Sequence, residues 1–378
     1  MPPADGNTQN AVPFFDLHPS HEPLQDALLD EIAKLLESGR FTNGPAVAAF
    51  EKEYAAFCGV ACCVGTGSGL DALRFALLAS GIERGDEVIV PAYTFVASLE
   101  AVTQAGGVPV LVDVSETDWN LDPAAVEAAL TPRTRAVVPV HLYGQMADMR
   151  QLLAIAERAN LAVVEDACQA HGATRDGLRA GAAGRAAAFS FYPSKNLGAA
   201  GDAGAVVTGD NALARVVRML RQHGEESKYV HRIEGYTSRL DTIQALVLLH
   251  KLPHLERWNE ERREVAAAYC ERLDGVGDLH LQPVPHGSDP VWHLFVVRTA
   301  DPEPLQGFLA ERGIGTGRHY PDPVHLTGAY AWLAHPAGSF AVSEALAREV
   351  VSLPLFPGMT VAQVEAVTTA IGDYFDRG

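Results

Sequence analysis

Short apolar runs alternate with amphipathic stretches along the first half of the chain. Each run is rich in β-branched residues or alanine and is bounded by glycine, proline or charge, which is typical of buried strands. The pattern predicts strands at 61–64, 87–90, 108–112, 136–140, 162–164, 187–190 and 205–208.

Helical periodicity fills the intervals between these runs. Residues 71–80 place Leu73, Leu77 and Leu78 on one face. Asp122 followed by Pro123 predicts a helix start, because aspartate caps helix N-termini and proline suits the first turn. Further helices are predicted at 148–159 and 210–221. Alternating strands and helices predict an α/β fold with a mainly parallel seven-stranded sheet covered on both faces.

The pattern changes after Leu240. A long helical stretch is predicted from 241 to about 273, interrupted at Pro253 because proline breaks helix interiors. Beyond it we predict a strand at 293–298, a helix at 303–311, a strand near 314–318 and a helix at 361–375. The prediction is a large domain over residues 1–250, including an N-terminal arm, and a smaller α+β domain over 251–378.

The chain is strongly acidic. Its 378 residues include 29 Lys and Arg against 47 Asp and Glu, a net charge of −18. Such a surface repels phosphate backbones and anionic lipid, so neither nucleic acid nor a membrane is an expected partner. The five cysteines show no metal-binding spacing, and the N-terminus has no secretory pattern. We therefore predict a cytoplasmic protein without a metal site.

Three glycines, Gly65, Gly67 and Gly69, stand between a predicted strand and a predicted helix. Free backbone N–H groups and the helix dipole favour a phosphate there. A dinucleotide fingerprint needs a glycine where Leu70 stands, and no Walker lysine follows, so the loop suits a single phosphate. A tight turn without a ligand is the alternative interpretation.

Two charged residues could complete a cofactor site. Asp166 follows a predicted strand and is expected at the carboxyl edge of the sheet, where a carboxylate favours a protonated pyridine nitrogen; a helix cap is the alternative. Lys195 lies among aromatic and small residues, and a desolvated lysine can form a Schiff base. Either Tyr93 or Phe95 can cover a ring, although core packing is the ordinary role of an aromatic residue. Together these features indicate pyridoxal phosphate.

The chain resembles the DegT/DnrJ/EryC1/StrS family of nucleotide-sugar aminotransferases, which have the type I pyridoxal-enzyme fold of aspartate aminotransferase. The most specific match is the run Ser-Phe-Tyr-Pro-Ser-Lys-Asn at 190–196. The resemblance runs nearly end to end, through segments 13–17, 39–45, 91–98, 140–144, 165–172, 319–321 and 352–354.

The resemblance implies a role for each matching residue. Lys195 would form the Schiff base, Asp166 would pair with the ring nitrogen and Gln169 would contact the ring hydroxyl. Phe95 would stack on the ring. The implied phosphate-binding residues are Ser68, Gly69, Leu70 and Ser190, and the implied substrate residues are Tyr192, His319 and Tyr320.

One position departs from the family. Thr237 stands where the family usually has an asparagine that reaches the cofactor phosphate of the neighbouring subunit. Threonine can donate a hydrogen bond but is shorter, so it stays a cofactor-binding candidate in an expected homodimer with shared active sites.

The implied reaction moves an amino group from glutamate to a dTDP-linked 3-keto- or 4-keto-deoxysugar during natural-product or polysaccharide synthesis. Segments 140–149 and 169–172 resemble the branch that acts at C3. One alternative is a pyridoxamine-dependent sugar dehydratase, whose relatives carry histidine at the position of Lys195. Another is a non-catalytic regulatory protein.

Because the cofactor and the nucleotide sugar are anionic, we expect positive charge near the cleft from Lys195, Lys228, Arg232, Arg239 and Arg318.

Overall fold

A computed structural model describes residues 12–377. Its strands are β1 (Cys62–Thr66), β2 (Glu87–Pro91), β3 (Val108–Val112), β4 (Thr134–Val137), β5 (Ala162–Asp166), β6 (Thr174–Arg175), β7 (Leu178–Arg179), β8 (Ala186–Ser190), β9 (Gly204–Thr208), β10 (Glu225–Ser227), β11 (Val230–His231), β12 (His280–Leu281), β13 (Ser288–Asp289), β14 (Phe295–Arg298) and β15 (Val350–Leu353). Its helices are α1 (His18–His21), α2 (Gln25–Ser38), α3 (Pro45–Cys58), α4 (Gly69–Ala79), α5 (Ala97–Gln104), α6 (Pro123–Ala128), α7 (Met149–Ala159), α8 (Asn211–Leu220), α9 (Thr242–Lys251), α10 (Leu255–Leu273), α11 (Pro302–Ala310), α12 (Ala341–Glu349) and α13 (Val361–Phe375).

The main sheet has seven strands in the order β1-β9-β8-β5-β4-β2-β3. The pairs from β8 through β5, β4 and β2 to β3 are parallel, whereas β9 runs antiparallel to both of its neighbours. All seven strands predicted from the apolar runs are present, with ends that differ by a few residues. The predicted α/β fold with a mainly parallel seven-stranded sheet is confirmed.

Both faces of the sheet are buried, because successive side chains of a strand point to opposite faces. In β5, Val163 belongs to the core under α3, α7 and α9, and Val164 belongs to the core under α4, α5 and α8. The predicted helix start at Asp122 is confirmed, since its side chain accepts a hydrogen bond from the Ala124 N–H at 2.9 Å.

The chain after Leu240 forms a third core. The predicted interruption of the long helix is confirmed, because α9 ends at Lys251 and a short 3-10 turn containing Pro253 leads into α10. The second half of α10 packs with α11, α13 and the antiparallel sheet β12-β14-β15. The division of domains at residue 250 stays a prediction.

One predicted strand of this region is wrong. Residues 314–318 make only single bridges, from Ile314 to Val12 and from Gly317 to Ser352. The strand beside β14 is instead β15, whose four residues are all buried. Among residues 12–377, no helix combines the length and apolar composition that crossing a bilayer requires.

A buried carboxylate anchors the loop beneath the carboxyl edge of the sheet. The Glu165 side chain accepts hydrogen bonds from His141 Nε2 at 2.8 Å and from the backbone N–H groups of Gly181, Ala183 and Gly184 at 3.0, 3.0 and 2.6 Å. His141 and Glu165 are both fully buried. Because four donors converge on this carboxylate, it fixes the backbone next to Asp166.

Glu165→Gln is expected to lower the free energy of unfolding by about 3 kcal/mol. The side-chain amide of glutamine would point its own N–H groups at N–H groups of the protein that are buried and need an acceptor. Urea denaturation of the full chain measures the loss. Glu127→Gln is the matched control, because Glu127 pairs with Arg158 on the exposed surface and such pairs contribute little. Equal effects of the two substitutions would contradict the anchoring role.

Candidate active site

A cavity of about 600 Å³ opens at the carboxyl edge of the main sheet. Its lining includes almost every residue that the sequence predicts for the site: Ser68, Gly69, Leu70, Phe95, Asp166, Gln169, Ser190, Tyr192, Lys195, His319 and Tyr320. Several loops converge here because the parallel strands of the sheet end at the same edge. Thr237 is the predicted residue that does not line the cavity.

Lys195 stands on the loop between β8 and β9. Its backbone N–H donates to the Tyr192 carbonyl at 2.8 Å, which closes a turn around Pro193. The side chain is partly exposed to the cavity but otherwise surrounded by protein. Burial lowers the pKa of Lys195 below its usual range, although Cys168 and Asp166 oppose this effect. A lower pKa increases the fraction of free amine, which is the nucleophilic form.

Asp166 is the last residue of β5 and is 8% exposed. One carboxylate oxygen accepts a hydrogen bond from Ser98 Oγ at 2.7 Å, and the other accepts from the Cys168 N–H at 3.2 Å. Two donors on an acceptor-only group fix its orientation. Asp166 therefore presents a fixed negative charge to the cavity.

The glycine loop follows β1 and leads into α4. Ser68 caps this helix, because its side chain accepts from the Asp71 N–H at 3.1 Å. A Cβ atom added at Gly69 would lie 2.6 Å from the Ser190 Cβ atom and 3.0 Å from Cys168 Sγ. The lack of a side chain at Gly69 thus lets the helix N-terminus approach the end of β8, where Ser190 stands.

Burial distinguishes the two aromatic residues, Tyr93 and Phe95, that could cover a ring. Tyr93 is 1% exposed, and its hydroxyl oxygen lies 2.8 Å from the His319 carbonyl. Phe95 is 51% exposed, lines the cavity and packs against Tyr320 with 5.4 Å between ring centroids. Phe95 is therefore the ring available to a ligand, and Tyr93 holds the His319–Tyr320 segment.

Gln169 is held in one orientation. Its side-chain oxygen accepts from the Tyr143 N–H at 2.7 Å, and its side-chain nitrogen donates to the Tyr320 hydroxyl at 3.1 Å. Because both ends of the amide have partners, the nitrogen faces the side of the cavity formed by Tyr320.

The predicted substrate residues also line the cavity. Tyr192 is half-exposed. His319 stacks on Phe14 with 5.5 Å between ring centroids, and its Nδ1 lies 2.8 Å from Ser352 Oγ. Burial and the positive charge of Lys195 lower the pKa of His319 to about 4, so this ring is neutral at physiological pH.

Two expectations about polar groups need correction. Thr237 is exposed outside the cavity of its own chain, with its hydroxyl 3.1 Å from His223 Nε2. Of the five positive residues expected near the cleft, only Lys195 lines it. Arg318 pairs with Glu303 and Arg232 pairs with Glu226. Lys228 and Arg239 also lie outside the lining.

The cavity instead contains two cations that sequence reasoning missed, Lys251 and Arg262. Burial lowers the pKa of Lys251 to about 8 and that of Arg262 to about 10. Within the described part of the chain, neither pairs with a carboxylate. Lys251 Nζ donates to the Gly198 carbonyl at 2.6 Å, and Arg262 donates to backbone carbonyls that include Leu355 at 3.1 Å.

Ser98 and His293 were also missed. Ser98 is separated from Asp166 by 68 positions, and His293 is separated from Lys195 by 98 positions. No local motif marks either residue, because each acquires its role from folding alone. Over residues 12–377 the structure places no group of three or more His, Cys, Asp or Glu side chains suited to a metal.

These residues fit pyridoxal phosphate. The cavity offers an amine with a lowered pKa at Lys195 and an ionised carboxylate at Asp166. The helix N-terminus at Gly69 offers free N–H groups where a side chain would not fit.

Gly69→Ala is expected to weaken binding of pyridoxal phosphate by about 10-fold to 100-fold, since the added methyl group forces α4 away from β8. Equilibrium titration of the cofactor absorbance measures this. Gly209→Ala is the matched control, because a Cβ atom there meets no atom within 4 Å. Unchanged affinity in the Gly69 variant would exclude the close approach.

Comparison with known proteins gives consistent results. Residues 23–372 match the model of the DegT/DnrJ/EryC1/StrS aminotransferase family. The dTDP-3-amino-3,4,6-trideoxy-α-D-glucose transaminase of Streptomyces venezuelae is 49% identical over 97% of both chains. The erythromycin biosynthesis sensory transduction protein EryC1 of Saccharopolyspora erythraea is 50% identical over 92% of this chain and 95% of its own.

A crystal structure of S. venezuelae DesV in complex with a ketimine intermediate has the same fold. It superposes with a TM-score of 0.96 at 49% identity, covering 98% of this chain and 100% of the other. The chain therefore belongs to the DegT/DnrJ/EryC1/StrS aminotransferase family and is an aminotransferase that depends on pyridoxal phosphate.

Proposed function

We propose that this aminotransferase moves an amino group from glutamate to C3 of a nucleotide-linked 3-keto-deoxysugar. The observation that carries the proposal is the single cavity that holds Lys195, Asp166 and the Gly69 loop together. The S. venezuelae relative, a dTDP-3-amino sugar transaminase, supports C3 and dTDP as the position and nucleotide.

The cofactor, when bound, supplies an electron-withdrawing ring that acidifies the α-carbon of the attached amino acid. Asp166 keeps the ring nitrogen protonated, because its charge is fixed by Ser98 Oγ and the Cys168 N–H. Ser68, Gly69, Leu70 and Ser190, which line the cavity at the N-terminus of α4, would hold the phosphate. Gln169, whose amide nitrogen lies beside the Tyr320 hydroxyl, would contact the ring hydroxyl, and Phe95 would cover the exposed ring face.

Lys195 has two roles in this proposal. Its amine would hold the cofactor covalently before the reaction. The freed amine would afterwards carry the proton between the α-carbon of the amino acid and the cofactor carbon that receives the nitrogen. The lowered pKa of Lys195 suits both roles, because it increases the fraction of neutral amine, which is the nucleophilic and basic form.

The remaining cavity accommodates the sugar nucleotide. Tyr192, His319 and Tyr320 line the same cavity and offer hydroxyl and imidazole groups to a sugar. Lys251 and Arg262 place positive charge in the lining of an otherwise acidic protein, which favours an anionic diphosphate.

The substrate assignment is tested with a matched panel. Purified holoenzyme receives glutamate and one of four substrates: dTDP- or UDP-linked sugars with the keto group at C3 or C4. We expect kcat/KM for the dTDP-linked 3-keto sugar to exceed that of its 4-keto isomer by at least about 100-fold. A preference for the 4-keto isomer would overturn the assignment to C3.

The enzyme is also proposed to be a homodimer that shares its active sites. Exposed apolar side chains support an interface with a second copy of the chain. Examples are Leu36 on α2 and Tyr229 on the β10–β11 hairpin. The exposed Thr237 would then face the cofactor phosphate of a second copy. Light scattering of the purified protein is expected to give twice the chain mass of 40.3 kDa. A fully active monomer would contradict this arrangement.

A regulatory role is the second candidate, favoured by the name of the S. erythraea relative. A protein that only regulates has no need of a reactive amine at Lys195. Adding glutamate without a sugar distinguishes the enzyme from the regulatory protein. Transamination changes the cofactor absorbance, whereas a protein that only binds the cofactor leaves it unchanged.

A further inference from the structure

A chain of buried polar side chains leads away from the Lys195 amine. His293 Nε2 lies 3.5 Å from Lys195 Nζ, and His293 Nδ1 lies 3.2 Å from Asn196 Oδ1. Asn196 in turn contacts Asn259 at 2.9 Å. His293 is 8% exposed, so its ring nitrogens must find their partners within the protein.

The direction of each hydrogen bond follows from one backbone carbonyl. Asn196 Nδ2 lies 2.9 Å from the Val291 carbonyl, and a carbonyl can only accept. The amide nitrogen of Asn196 therefore faces Val291 and Asn259, and its oxygen faces His293 Nδ1. Asn259 agrees with this assignment, because its own nitrogen donates to the His171 carbonyl at 2.8 Å.

The orientation of Asn196 fixes the tautomer of His293. Since Asn196 Oδ1 only accepts, His293 Nδ1 must carry the proton. Burial and the positive charges of Lys195 and Arg262 hold the pKa of His293 well below its usual range, so the ring stays neutral. His293 Nε2 is then an unprotonated acceptor that faces the Lys195 amine.

We propose that His293 is a positioning residue that accepts a hydrogen bond from the Lys195 amine whenever this amine is not bonded to the cofactor. The distance of 3.5 Å is long for a hydrogen bond and shortens readily by side-chain rotation of the lysine. Accepting one N–H bond restricts the rotation of the amine, so its lone pair points into the cavity where proton transfer takes place.

The proposal rests on the proposed role of Lys195 as the proton carrier, but not on the identity of the sugar. Its test therefore uses the reaction with glutamate alone, followed by cofactor absorbance in a stopped-flow instrument. Wild-type protein that does not react with glutamate would refute the proposed function. A slower reaction in the His293 variants alone bears only on the role of His293.

Two substitutions separate a positioning role from a structural one. His293→Asn keeps an amide N–H near the position of Nδ1 and so preserves the contact with Asn196, but it loses the contact with Lys195. His293→Gln places an amide oxygen near the position of Nε2 and preserves the contact with Lys195. A residue that only supports Asn196 would tolerate the first substitution better than the second.

We expect His293→Asn to lower the maximal rate of the glutamate reaction by about 10-fold to 100-fold, with an unchanged glutamate concentration at half-maximal rate. His293→Gln is expected to stay within about threefold of wild type. The reverse order in folded proteins would overturn the proposal. If the asparagine variant fails to fold, His293→Gln decides alone: a loss beyond tenfold at wild-type thermal stability contradicts the inference.

A second measurement gives the apparent pKa of the Lys195 amine directly. After glutamate has freed the amine, acetic anhydride is added at a series of pH values, and the labelled Lys195 peptide is quantified by mass spectrometry. Hydrogen bonding to an acceptor favours the charged amine, so its apparent pKa is expected to fall by about one unit in His293→Asn and to recover in His293→Gln. The variants leave the other groups around these residues unchanged: Asp166, Cys168, His171, Arg262 and His319. An identical labelling profile in all three proteins would contradict the hydrogen bond.

Discussion

Lys195→Ala is expected to lower the rate of amino transfer by about 10⁴-fold, because the substitution removes the covalent attachment point and the proton carrier together. The protein is expected to bind the cofactor still, since the Gly69 loop and Asp166 are unchanged. Steady-state assays with glutamate and a keto-sugar nucleotide give the rate, and equilibrium dialysis gives the retained cofactor.

Lys251→Met is the matched control for the site of covalent attachment. Lys251 is also a lysine of the cavity lining, but its amine donates to the Gly198 carbonyl. After borohydride reduction and proteolysis, the cofactor is expected on the peptide of Lys195 in both wild type and Lys251→Met. Covalent label on Lys251, or full turnover by Lys195→Ala, would refute the assignment.

Asp166→Asn is expected to lower kcat by about 10²-fold to 10³-fold, a loss typical of removing one fixed electrostatic group from a transition state. Asparagine retains the size of aspartate and can still accept from Ser98 Oγ, but it has no charge to keep the ring nitrogen protonated. The KM for glutamate should change little, because the lost interaction concerns charge that develops during the reaction.

Ser98→Ala provides a graded comparison. It removes one of the two hydrogen bonds to Asp166 and leaves the charge in place. We expect a decrease in kcat of about tenfold or less. If Asp166→Asn were no worse than Ser98→Ala, the charge of Asp166 would not matter, and the proposed ring contact would be wrong.

The fold was predictable where local pattern and tertiary pairing agree. The apolar run before the glycine loop predicts a strand that ends at Val64, yet β1 continues through Gly65 and Thr66. These residues pair with Ala205 and Gly204 of β9, so a distant strand overrides the local tendency of glycine to end a strand. The missed strand β15 has the same cause, because its pairing with β14 joins residues far apart in sequence.

The site was predictable where its residues lie in continuous segments. Asp166 and Lys195 each stand at the end of a strand or on the loop that follows one, and the glycine loop has a recognisable spacing. Ser98, His293, Lys251 and Arg262 carry no such signal, because their contacts with the site depend on how α5, α9, α10 and the segment before β14 pack against the sheet edge. The expected positive charges failed for this reason: lysine and arginine positions along a chain do not show which face they will occupy.

Transfer of an isotopic label tests the central claim most directly. The holoenzyme is incubated with L-[¹⁵N]glutamate and a dTDP-linked 3-keto-6-deoxyhexose, and the product is examined by NMR. The account predicts ¹⁵N bonded to C3 of the nucleotide sugar with wild-type protein and no labelled sugar with Lys195→Ala. Label at C4, or label that forms equally without the Lys195 amine, would contradict it.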